Sequence, residues 1–201
     1  MTITFAFALL GAASPLAGAV FRNPLVIILS SVMMLFCVCA ILASKEARRT
    51  VPGNYFWLLG ATLGESIILG GVASDLTVAS VLTSIMATCL STVGLFCAAL
   101  CSSTARDMGR LIRNLMFGVV TAFLFQLALL IFMFVTWSFN DPKVVFIVSL
   151  LMVFIVGIYI IIVLLAVIIK EVTDPEDYIL AALRIYIELA RLFFYMLRLF
   201  G

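Results

Sequence analysis

Polar and charged residues cut this chain into seven long apolar runs, covering about residues 3–21, 25–43, 54–74, 77–101, 115–138, 144–169 and 178–200. Between them lie Arg22-Asn23-Pro24, the basic group from Lys45 to Arg49 with Pro52, the single Asp75, the polar stretch 102–114, Asn140-Asp141-Pro142-Lys143, and the acidic stretch 170–177. Each run is close to the roughly 20 residues a helix needs to cross a hydrocarbon core. In lipid, backbone groups must find partners within their own segment, which a helix provides. The pattern shows none of the ~10-residue alternating segments of a membrane barrel. It predicts an all-α membrane protein, a bundle of seven transmembrane helices forming one domain, 1–201.

Composition agrees. The chain is 66% hydrophobic and 11% charged, against about 25% charged in a typical soluble domain, so it has too few charges to coat a water-facing globule. A net charge of +2, with the basic residues scattered among apolar runs, gives no nucleic-acid face. No basic segment precedes the first run, which therefore reads as a short first helix rather than a secretory signal. Lys45, Arg48, Arg49, Arg106, Arg110, Arg113 and Lys170 fall on one side of the expected topology, and only Arg22 and Lys143 on the other. By the positive-inside rule, the N-terminus and the basic loops face the cytoplasm, or the matrix in a mitochondrion.

The last run differs from the rest. It carries Arg184, Glu188, Arg191 and Arg198 in an otherwise apolar helix. Arg184 to Glu188 is i,i+4 and Glu188 to Arg191 is i,i+3, so these three charges share a face. Such charges cost about 2.5–3.5 kcal/mol each at the helix centre in lipid. Two arrangements relieve that cost: the face points into the bundle or a watery cavity, or the helix lies at the interface. Glu65 is the other carboxyl at membrane depth, inside Thr62-Leu63-Gly64-Glu65-Ser66.

Catalysis is not expected. There is no histidine, the commonest general base, and Asp75, Asp107, Asp141, Asp174 and Asp177 all fall between the apolar runs. The five cysteines, Cys37, Cys39, Cys89, Cys97 and Cys101, lie within apolar runs and form no CxxC pair, so they read as packing residues rather than as metal ligands or a disulfide framework. Gly60 and Gly64 form a GxxxG on the third run, a motif for close helix packing.

The order of several short motifs resembles one known family. Asp174-Pro175-Glu176-Asp177-Tyr178 followed by Ile179-Leu180-Ala181-Ala182-Leu183 and Ile185-Tyr186-Ile187-Glu188 is similar to the closing signature of the Bax-inhibitor-motif, or lifeguard, membrane proteins. Asn23-Pro24, Arg48-Arg49 with Pro52, Asn54-Tyr55, Glu65-Ser66 with Gly70, Cys89-Leu90-Ser91-Thr92-Val93 and Thr104-Ala105-Arg106-Asp107-Met108-Gly109 fall at similar spacing. The resemblance runs from about residue 22 to the end and implies a seven-helix bundle with the last helix central. It also implies a cation leak, chiefly of calcium, across internal membranes, tied to stress and cell-death control. In that family an aspartate on each of the last two helices shares a proton and is latched by an arginine.

Here the pattern departs. Glu188 stands for the last-helix aspartate, but where the family's Asp-Thr-Gln triplet is expected the chain reads Leu165-Ala166-Val167. Glu188 has no acidic partner there, and Arg184, Arg191, Arg48 or Arg49 are candidates to pin it as a fixed ion pair. Two readings stay open. One is a divergent calcium leak in which Glu188, Glu65, Asp174, Glu176 and Asp177 attract cations, since oxygen ligands suit calcium. The other is a non-conducting accessory subunit of a larger membrane assembly, for example in the mitochondrial inner membrane. No cofactor or tightly held metal is expected, only weak calcium binding and bound lipid. The expected partners are membrane lipids and other membrane proteins met through lipid-facing helices, in the ER, the Golgi or the mitochondrial inner membrane.

Overall fold

The computed structural model describes residues 1–44, 46, 49–103, 142–171 and 178–201. Among these the regular structure is helical throughout: α1 (Thr2–Ala13), α2 (Pro15–Phe21), α3 (Pro24–Ala43), α4 (Gly53–Ala73), α5 (Val78–Ser103), α6 (Pro142–Glu171) and α7 (Tyr178–Phe200). Prolines and capping side chains set several starts. Ser14 Oγ accepts a bond from the Ala17 amide at 3.4 Å ahead of Pro15, and Asn23 Oδ1 accepts one from the Leu25 amide at 3.0 Å ahead of Pro24. Thr77 Oγ1 does the same for the Ser80 amide at 3.2 Å. Each combination satisfies an orphan donor of a helix's first turn, and proline is preorganised for the position that needs no amide hydrogen.

The first apolar run is not one straight helix. α1 and α2 meet at 115°, which corrects the expectation of a single helix over 3–21. Pro15 has no amide hydrogen to continue the ladder and pushes the preceding residue out of the helical region. Ser14 accordingly adopts an extended conformation, φ −116° and ψ 116°.

By length and apolarity α3, α4, α5 and α6 can each cross a membrane, and the bent α1–α2 pair makes a fifth span if counted as one. The run expected at 115–138 lies outside the described residues. α7 is too charged to qualify on apolarity, yet it runs parallel to α4 along α4's whole length. Asn54 Nδ2 donates to the Tyr178 hydroxyl at 2.9 Å at one end, Tyr186 reaches Thr62 further along, and Leu76 meets Gly201 at the other end. α7 is therefore a bundle helix, not one lying on the surface.

The packing is organised around α7, which contributes to all three buried clusters. Ala190, Phe193 and Leu197 join Ala8 of α1, Leu69 and Ala73 of α4 and Val81 of α5. Leu189, Leu192 and Met196 join α5 and α6, and Ile179, Leu180 and Leu183 join α3 and α4 through Cys37, Ile41 and Ala61. On α4 glycines add the closest contacts. A Cβ at Gly60 would lie 2.7 Å from Cys37 Sγ, and one at Gly64 would lie 2.8 Å from the Ser30 carbonyl. The GxxxG is thus the close-packing surface for α3. Further along, a Cβ on Gly11 of α1 would collide with the Gly70 carbonyl, so α1 and α4 touch backbone to backbone.

At the end of the bundle where α2 turns into α3 and α4 into α5, Arg22 forms an ion pair with Asp75. It also donates to Ser74 Oγ and to the Ser74 carbonyl at 3.4 and 3.3 Å, closing the C-terminal end of α4. Tyr178, Asn54 and the approach to α4 lie at the opposite end. Arg22 and Arg49 are thus at opposite ends of the bundle.

Candidate functional site

The charged residues at membrane depth gather where α4 and α7 run side by side. On α7, Glu188 is 7% exposed, and Arg191 Nη1 donates to its Oε1 at 3.1 Å. The pairing is one helical turn, i,i+3, and needs nothing from another element. The partners differ in burial: the glutamate side chain is 9% exposed and the arginine side chain 59%. A glutamate is short and stays with the core its backbone faces. An arginine extends a long apolar stem and carries its guanidinium to the edge.

That division corrects one expectation. Arg184, Glu188 and Arg191 share a face, but they do not enter the bundle as a unit: Glu188 turns in, while Arg184 and Arg191 lie at the surface. The partner of Glu188 is Arg191, not Arg184. Arg49 sits exposed at the approach to α4, near the Tyr178 end and about 15 Å along α7 from Glu188 at 1.5 Å per residue. Arg48 lies outside the described residues, as do the loop acids Asp174, Glu176 and Asp177.

Glu65 projects from α4 and is half-buried. It lies within the electrostatic reach of Arg191, which also acts on Glu188. The bond of Arg191 is to Glu188. The structure brings together Glu65, Glu188 and Arg191 of the residues singled out from sequence.

Beside this group runs a chain of hydroxyls that sequence reasoning did not single out. Thr4 of α1 is fully buried, and its Oγ1 lies 3.0 Å from the Tyr186 hydroxyl and 3.2 Å from Ser66 Oγ. Ser66 Oγ donates to the Thr62 carbonyl at 2.6 Å, and the Tyr186 hydroxyl reaches the same carbonyl at 3.3 Å. α1, α4 and α7 are joined at this one level. Ser66 follows Glu65 directly, and the Glu65 charge acts on Tyr186. Buried hydroxyls need partners, so Thr4 in an apolar helix was the available signal. Its partners, in residues far along the chain, were not.

The position where the family's second acid is expected is apolar. Leu165 of α6 stands there and is fully buried. Chemically the site holds a buried carboxyl bonded to an arginine, one further half-buried carboxyl on α4, and a hydroxyl network that ties three helices together.

Comparison with known proteins agrees with this architecture. A model of one protein family, described as inhibitor of apoptosis-promoting Bax1, matches residues 1–201. No curated protein and no solved structure matches the chain. With seven described helices, at least four apolar enough to span a bilayer, and a family match over its whole length, the chain is a multi-pass integral membrane protein belonging to the Bax inhibitor family.

Proposed function

We propose that this protein is a non-conducting member of its family, an accessory membrane protein that works through helix–helix contacts in stress and cell-death control. The observation that carries this reading is the Glu188–Arg191 pair. A carboxyl that gates by sharing a proton needs an acidic partner, because two like charges cannot both ionise at close range. Glu188 instead has a guanidinium at 3.1 Å, and the expected second acid is the buried Leu165. An arginine stays charged at every accessible pH, so Glu188 faces a cation rather than a second acid with which to share a proton. We place the protein in an internal membrane, the ER, the Golgi or the mitochondrial inner membrane, with the basic loops facing the cytoplasm or matrix.

A second reading, a divergent calcium leak, draws on Glu65. This carboxyl on α4 is half-buried, and the Arg191 charge acts on it as well as on Glu188. If Glu188 holds the arginine, Glu65 is left to attract a cation. Calcium entry into liposomes containing the purified protein, at neutral and acidic pH, separates the two readings. The accessory reading expects no entry above that of empty liposomes when the protein is folded. Calcium entry that Glu65→Gln or Glu188→Gln abolishes would overturn it in favour of the leak.

A further inference from the structure

α1 is too short to cross a bilayer. Its 12 residues extend about 18 Å at 1.5 Å per residue, against a hydrocarbon core of about 30 Å. Its contacts fix where those residues lie. Thr4, close to the start of α1, is bonded to Ser66 and Tyr186. Along α4, Ser66 stands about 12 Å from Ser74 at the Arg22 end and about 18 Å from Asn54 at the other. Towards its far end α1 meets Gly70 through Gly11. α2 then turns off at 115° and stays at the Arg22 end, with Gly18 packed on Ser74 and Arg22 bonded to it. The start of α1 therefore lies inside the bilayer, and the first complete crossing is α3.

This half-length helix lies over the polar group. Leu69 and Ala73 follow Glu65 at i+4 and i+8, on the same face of α4. Both join Ala8 of α1 and Phe193 of α7 in one buried cluster. The Phe5 ring stands edge-on to Phe193, with the ring centres 4.9 Å apart. Between Glu65 and the Arg22 end, hydrocarbon from α1 thus fills the seam of α4 and α7, and an apolar constriction keeps out water and ions. We propose that α1 is a half-span, inserted from the Arg22 side, that seals the Glu65–Glu188–Tyr186 group from the water on that side.

The inference goes beyond the accessory reading and does not need it. Its readout is thiol chemistry rather than ion entry, so the failure of one leaves the other standing.

The test uses the full chain with its five cysteines replaced by alanine, in sealed vesicles, and a charged methanethiosulfonate that does not cross membranes. Single thiols are introduced by Thr2→Cys at the start of α1, by Ser66→Cys in the polar group, and by Asp75→Cys, which reads the Arg22 side. Only a thiolate in contact with water reacts, so Thr2→Cys and Ser66→Cys should be at least about a hundredfold slower than Asp75→Cys, from either side. Phe5→Ala leaves a cavity beside Phe193, and should speed Ser66→Cys at least about tenfold with reagent on the Arg22 side. Phe5→Leu, a smaller loss, should give a smaller gain. Ile41→Ala removes core from the other half of α7 and should give no gain from that side. A cooperative thermal melt shows that each variant is folded. Thr2→Cys reacting as fast as Asp75→Cys with reagent on the basic side would mean that α1 crosses the whole bilayer, and overturns the half-span. The seal is overturned if Ser66→Cys reacts fast with α1 unaltered, if neither Phe5 variant speeds it, or if Ile41→Ala speeds it equally.

Discussion

α4 and α7 are parallel neighbours tied together at both ends, and they solve the packing problem in opposite ways. α4 removes side chains where it meets its neighbours: Gly60 and Gly64 let α3 approach, and Gly70 meets Gly11 of α1. α7 fills space with Leu183, Leu192, Phe193 and Leu197, all essentially fully buried, and carries four charges along the same length. In lipid there is little hydrophobic drive between helices, so contacts depend on dispersion and on the closeness of approach. Glycine faces achieve this by shape alone. The charged helix is held because its large residues grip three sets of neighbours at once, leaving the arginines at its outer edge.

The largest effect expected from breaking this comparison is on the α7 side. Arg191→Leu leaves Glu188 buried without a cation, and losing one partner of a buried pair costs about 3–5 kcal/mol. The melting temperature in detergent should fall sharply. Glu188→Leu added to Arg191→Leu should restore most of it, because the orphaned charge is gone. No recovery in the double variant would mean that the pair does more than balance charge. Gly64→Leu on α4 comes next. Its side chain would meet the Ser30 carbonyl and Met34 Cβ at 2.8 and 2.9 Å, and overpacking of this kind costs about 1–3 kcal/mol. Thermal melts should show a smaller loss than for Arg191→Leu. A larger loss would make the glycine face, and not the charge pair, the weaker point of the bundle.

Removing the link between the two halves should matter less. Tyr186→Phe deletes the hydroxyl that meets Thr4 and Thr62, and interhelical hydrogen bonds in membranes are worth about 0.6 kcal/mol on average. The expected change in melting temperature is small. The sharper readout is faster amide exchange in α1, whose polar anchor is Thr4.

Local signals in the sequence carried much of this arrangement, and distance in the chain hid the rest. The apolar runs gave the long helices, and the Gly60–Gly64 spacing marked the face that α3 occupies. The break after Ser14 was also written locally, in a capping residue followed by proline, but the unbroken hydropathy of residues 3–21 masks it. For Glu188, spacing alone admits both Arg184 and Arg191, and only the packing of α7 separates them. The Thr4–Ser66–Tyr186 network was invisible because its members lie 62 and 182 residues from Thr4. No periodicity within a helix reports a partner at that separation.

The smallest expected effect lies at the end of the bundle. Arg22 and Asp75 form the same kind of pair as Arg191 and Glu188, but both side chains are more than half exposed, 58% and 63%. An exposed pair gains little in a polar medium, with measured values of about 0–1 kcal/mol, and salt screens it further. Asp75→Asn should therefore shift the melting temperature only slightly, and the difference from wild type should shrink as salt is raised. Arg22→Gln should cost somewhat more, because Arg22 also donates to Ser74 Oγ and to the Ser74 carbonyl at the end of α4. Equal losses in the two variants would mean that the helix-end bonds contribute nothing beyond the ion pair. A loss as large as that of Arg191→Leu would mean that this end is as dry as the middle of α7, and the contrast between the two pairs would fail.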